Sequence, residues 1–208
     1  MFNAIAFDKE IDDLIEKGSA QKAEERMLQA YSQLKDGRRR QDLEHVVFRL
    51  AHFYSVPGQE NLKEAERYFI ERETLSPTSY NKYQTATFYF FVLGDSTQAI
   101  NKIDEIHTSE TDRASYYSAL CLKGQALMKL ERFPEAATVI TELLEFVKRN
   151  PRGLPFGDEV AFLQTAIAVP FLTQGCRKLL KLVIPKMRSQ EYKEKAAAVL
   201  QSAEGGVH

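Results

Sequence analysis

Few side chains in this sequence have both the type and the spacing to ligate a metal or attack a substrate. His45 and His52 lie seven residues apart, so a helix puts them on one face. A rise of about 1.5 Å per residue then separates them by about 10 Å, too far for two ligands of one ion. A partner-facing or half-buried stripe is the expected role. Cys121 sits in ALCLKGQAL with no histidine nearby in sequence to draw off its proton, which predicts a packed thiol rather than a nucleophile. The adjacent acids Asp12 and Asp13, and Glu24 and Glu25, suit a solvated helix face better than general acid–base work. No G-x-S-x-G, P-loop, G-x-G-x-x-G or H-E-x-x-H motif is present. No catalytic residue, metal site or cofactor is expected, and the chain reads as a non-enzyme.

Binding chemistry is better represented than catalysis. Lys plus Arg number 28 against 29 Asp plus Glu, a balance that gives no global attraction to nucleic acid or anionic lipid. The local exception is RKLLKLVIPKMRSQEYKEK, residues 177–195, with seven bases against two acids and a high apolar content. Such a segment lies on a membrane surface, meets an acidic partner, or closes a helical fold with its bases on the wet face. The last is the expected role. The other two define an alternative function, a self-associating scaffold or regulator docking through its C-terminal helices.

The elements that would position these groups follow from a repeat. The segments QKAEERM, KEAERYF, TQAINKI and PEAATVI each place a bulky apolar residue four positions after an alanine, and Ala23, Ala65, Ala99 and Ala136 are spaced by 42, 34 and 37 residues. That is the size of a helix pair. Turn signals precede each marker: Gly18 with Ser19, Pro57 with Gly58, Gly94 with Asp95 and Ser96, and Arg132 to Pro134. The apolar spacing within the pieces is helical, as in Val139, Ile140, Leu143, Leu144 and Val147. QTATFYFFV, residues 84–92, has strand-like composition, but the repeat register places a first helix there. At 208 residues and 44% hydrophobic content the chain is long enough for a sizeable core in one domain. Two cysteines within apolar helical patterns, no basic leader before an apolar run ending at Phe7, and no membrane-length apolar stretch predict a cytoplasmic protein.

With these residues in place the chain resembles the tetratricopeptide repeat family, whose pattern is W-x2-L-G-x2-Y, then Ala, Phe and Pro. The matches are Leu120, Gly124 and Leu127 followed by Phe133 and Ala136, and Ala51 and Tyr54 followed by Ala65, Phe69 and Pro77. The tryptophan is absent, and Ile11 and Thr87 stand where Gly124 does. The resemblance implies an all-α, right-handed α-solenoid of four to five stacked antiparallel helix pairs. Its units run over about 5–36, 41–77, 80–110 and 114–150, with a divergent fifth pair and capping helix over 157–203.

The resemblance further implies that the first helix of each pair lines a concave groove. Equal offsets from the marker alanines select Phe48, His52 and Ser55, then Gln84, Phe88 and Phe91, then Cys121, Gln125 and Met128, with Asp8, Asp12 and Ile15 in the first pair. Such a wall is aromatic and amide-bearing, acidic at its N-terminal end and without Lys or Arg at its centre. It suits a peptide or a partner helix rather than a carboxylate. The implied function is protein binding, with no nucleic acid expected and a homodimer open.

Overall fold

Ala23, Ala65, Ala99 and Ala136 each stand at the fourth position of an α-helix in the computed structural model, and all four are 0% exposed. A methyl group there lets a neighbouring backbone come close. The bulky residues one turn later, Met27, Phe69, Ile103 and Ile140, are buried beside them and fill the space that the small residue leaves. The spacing read from the sequence is therefore a packing period.

The structure describes residues 2–37, 39–59, 61–107, 112–150, 152 and 154–205. Among them the regular elements are helical: α1 (Ala4–Glu16), α2 (Ala20–Lys35), α3 (Arg40–Phe53), α4 (Leu62–Leu75), α5 (Ser79–Thr87), α6 (Ser96–Asp104), α7 (Arg113–Lys129), α8 (Phe133–Arg149), α9 (Glu159–Ala166), α10 (Thr173–Val183) and α11 (Gln190–Gly205). Many starts are fixed by side-chain caps. Asn3, Asn61, Thr78, Asp95 and Asp112 each accept a hydrogen bond from the backbone N–H three residues on, satisfying a donor that the helix cannot. Pro134 lies in the first turn of α8, where no N–H is missed.

The helices fall into two compact units, Met1–Phe88 with α1 to α5 and Tyr89–His208 with α6 to α11. The boundary falls within the segment read as the third pair, whose last residues, 108–110, are outside the described ones. In the first unit each helix packs on the next in chain order, around Ile11, Met27, Val46, Leu50 and Tyr68. In the second, α7 packs on α8 and also on α9, and α8 packs on α10, so like helices of successive pairs lie side by side. Packing of α11 on both α9 and α10 covers the apolar face that a last pair would otherwise leave in water.

Residues 84–92 are helical, as the repeat register predicts, despite their β-branched and aromatic content. Burial of Thr85, Ala86 and Phe88 outweighs local propensity. The last stretch, Phe88–Val92, winds as a π-helix. Its wider turn takes the residues after Phe88 out of α-helical phase.

Gly18, Gly58 and Gly94 carry φ values of 70°, 87° and 68° in the turns before α2, α4 and α6. The matching turn before α8 holds Glu131 at φ 58°. In both the first and the fourth turn the chain closes with a hydrogen bond spanning five residues, Ser19 N–H to Leu14 O at 2.9 Å and Arg132 N–H to Leu127 O at 2.9 Å. A left-handed conformation disfavours any residue with a Cβ. Glu131→Gly is therefore expected to stabilise the protein by about 0.5–1 kcal/mol, the left-handed penalty less the added chain entropy of glycine. Denaturant midpoints check this, and a loss of stability would refute it.

Candidate partner-binding site

In the first unit the predicted stripe lies on α3 and α5 and just past their ends, at Ser55 and Phe88. Phe48, His52, Ser55 and Gln84 are half-buried. The His52 ring stands 4.3 Å from Phe48 and 5.5 Å from Phe69 between centroids, and Phe69 stacks on Phe88 at 4.8 Å. Phe88, only 2% exposed, is thus a core residue between α4 and α5. This corrects its assignment to a groove. Burial, reinforced by the charges of Arg72 and Arg49, holds the His52 imidazole below its ordinary pKa, so it is neutral at physiological pH.

The charges on this side differ from those expected. Asp8 meets His45 Nε2 at 2.9 Å and Arg49 Nε at 3.5 Å, and Asp12 pairs with Arg49. The acids of α1 therefore serve to join α1 to α3. Arg72, from α4, lays its guanidinium 4.1 Å over Phe48 and 5.5 Å from the ring of Tyr80, with its Nε 3.4 Å from Glu44. Asn81 donates to the same Glu44 at 3.0 Å. The middle of this stripe consequently carries two arginines where none was expected. Arg72 escapes an offset rule that reads only first helices, because it lies on a second one.

In the second unit Gln125 and Met128 of α7 come together with Ala161 and Thr165 of α9, Phe90 and Lys129 around a cavity of about 280 Å³. Phe90 packs edge-on against Phe91, centroids 4.8 Å apart, and Phe91 is 63% exposed. Lys129 Nζ is anchored to Gly94 O at 3.3 Å and lies 5.4 Å from the Phe90 ring. Ala161 and Thr165 belong to the fifth pair, which has no marker alanine from which an offset can be counted.

Cys121 does not join this wall. It is 1% exposed because α7 is covered on three sides by α6, α8 and α9, which turns almost its whole circumference into core. Burial first, then the nearby Glu159 and Asp158, push its thiol well above the ordinary value. Burial lifts Cys176 to about 12. Neither sulfur has the environment of a nucleophile. Among the described residues no cluster of His, Cys, Asp and Glu is arranged to hold a metal ion.

The basic segment has its apolar side chains already engaged. Leu179, Leu180, Val183 and Met187 are at most 2% exposed within the core of the second unit, so they are not free to enter a lipid surface. Of its bases, Lys178, Lys181, Arg188 and Lys195 are exposed, whereas Arg177, Lys186 and Lys193 are half-buried. Among the described residues no helix is long and apolar enough to cross a membrane.

No family model matches the chain, and no curated protein sequence does. Among solved structures it is similar to the crystal structure of PilW, described as a widely conserved type IV pilus biogenesis factor. The TM-score is 0.59, over 97% of this chain and 89% of that chain, at 13% sequence identity. The likeness is one of fold. The protein has an all-α helical-repeat fold of the tetratricopeptide-like solenoid class, as the resemblance in sequence implies.

Proposed function

We propose that the protein is a non-enzymatic protein-binding module that takes a peptide or partner helix against the exposed faces of its first helices. The observation that carries this reading is the cavity between α7 and α9, with Gln125 and Met128 in its wall and Phe91 exposed nearby. A ring of that size held in water gains about 1.5–3 kcal/mol when a partner covers it. The Gln125 amide has a donor and an acceptor to offer a partner's backbone, and Met128 adapts to irregular side chains. The half-buried Phe48, His52 and Gln84 of the first unit offer the same mixture. The two thiols, both buried and unpaired, accord with a cytoplasmic location, and the fold shared with a pilus biogenesis factor accords with an assembly role.

A photo-crosslinking residue placed at Gln125 is expected to trap a polypeptide in cell extract. Phe91→Ala should lower the yield about tenfold, the loss typical of an aromatic anchor. The same crosslinker at Lys148, exposed on α8, should trap none. Adducts confined to Lys148, or adducts indifferent to Phe91→Ala, would remove the reading, and an unchanged helical circular dichroism spectrum shows that the variant is folded.

A further inference from the structure

A second cavity in Tyr89–His208 lies away from the α7–α9 wall and has a different chemistry. Residues 154–158 fold against the first turn of α7 and the start of α11, enclosing about 440 Å³. Its walls include Phe156 and Tyr192 on the apolar side and Lys186, Arg188 and Ser189 on the polar side. Several lysines of this unit are spoken for: Lys123, Lys148 and Lys195 each hold a carboxylate at 2.6–2.7 Å. Lys186 and Arg188 have no ion-pair partner among the described residues. Lys186 Nζ instead stands 5.8 Å from the Phe156 ring centroid.

The aromatic wall is built in. A Cβ on Gly157, which has φ 137°, would lie 2.9 Å from a ring carbon of Tyr192, so the glycine is what lets that ring seat against the loop. Ser189 caps α11, its Oγ accepting from Tyr192 N–H at 3.4 Å. The remaining N–H groups of that first turn have no acceptor within the helix and add positive potential beside the two cations. The carboxylate on the wall, Asp158, accepts a hydrogen bond from Ser118 Oγ.

Two unpaired cations and a helix N-terminus match a dianion, and two rings match a flat apolar body. We propose that this cavity binds a phosphate monoester carried on an aromatic group, an activity separate from partner binding on the first-helix faces. A phosphate monoester carries close to two charges at neutral pH, and Arg with Lys supplies charge-assisted donors to its oxygens.

The test is a titration of the ¹⁵N-labelled full chain with phenyl phosphate, followed by backbone amide shifts. Saturable shifts are expected at Phe156 and at Gln190 to Tyr192. Benzoate, with the same ring and a single charge, and inorganic phosphate, with no ring, should each bind about tenfold more weakly, since each lacks one half of the recognition. Lys186→Gln with Arg188→Gln should weaken phenyl phosphate by more than about tenfold, whereas Lys178→Gln, on α10 outside the cavity, should leave it unchanged. Shifts that do not saturate, shifts spread over all basic residues, or equal binding by the double variant would overturn the proposal. Benzoate binding as tightly as phenyl phosphate would overturn its phosphate specificity.

Discussion

Gly124→Val is expected to lower the unfolding free energy by about 3 kcal/mol, the upper part of the range for forcing extra carbon into a packed core. Gly124 lies on α7 facing α9, and a Cβ built there would be 2.5 Å from two ring carbons of Phe162. Phe162 is itself 0% exposed, so its ring has nowhere to retreat. Either the ring leaves its place or α7 and α9 move apart, and both outcomes disturb the packing of like helices that holds the second unit together. The gain in helix propensity on losing a glycine, under 1 kcal/mol, does not offset this. Phe162→Leu, which opens the contact at its own cost, should recover part of the loss in the Gly124→Val background, giving a favourable coupling in a double-mutant cycle. Wild-type stability for Gly124→Val, or additive costs in the double variant, would mean that the two helices do not meet through this residue.

Gly124 also shows how far the sequence could be read. Four alanines and one glycine are legible because close approach of two helices tolerates no other side chain, and such positions repeat with the helix pair. The groove residues follow a weaker rule. An offset from a marker alanine fixes which face of an ideal helix a residue occupies, and it holds for Gln125 and Met128, which do line a cavity. It fails for Cys121 because exposure depends on how many neighbours surround α7, a tertiary property. It fails for Phe88 because the stacking partner Phe69 covers that ring from α4. The arginines of the first unit were invisible for a further reason. Arg49 and Arg72 act across helices, on Asp8 and Asp12 in one case and on Phe48 and Glu44 in the other, and pairings between distant parts of a chain leave no period to count. The basic segment 177–195 was legible as a closing segment because its apolar residues recur at helical spacing, and Leu179, Leu180 and Val183 are spent on the core.

Glu159→Gln is expected to stabilise the protein at neutral pH and to flatten its dependence on pH. Glu159 opens α9 and is 0% exposed. One carboxylate oxygen accepts from the Tyr117 hydroxyl at 2.7 Å and from Gly157 N–H at 3.0 Å, while the other, also buried, has no partner. Burial raises its pKa, and the hydrogen bonds from Gly157 and Tyr117 lower it by less. Asp158 beside it is raised by burial as well. A carboxyl whose pKa is higher folded than unfolded binds more protons in the folded state. Its stabilising contribution is therefore complete below the ordinary carboxylate range and is lost as pH rises through the folded value. Glutamine keeps an oxygen for Tyr117 and Gly157 and carries no charge to desolvate, a gain of about 1–3 kcal/mol at neutral pH. Glu159→Ala instead leaves two buried donors unsatisfied and should cost about 2–4 kcal/mol at any pH. The exposed pairs Arg132–Glu135 and Lys195–Glu191 pull their carboxyls downward and give the opposite trend, so the informative quantity is the difference between wild type and Glu159→Gln. Denaturant midpoints taken from about pH 4 to pH 8 supply it. A difference that shifts towards the glutamine variant with rising pH is expected. One that shifts towards wild type would mean that the carboxylate is held charged, and that the buried end of α9 favours an anion over a neutral side chain.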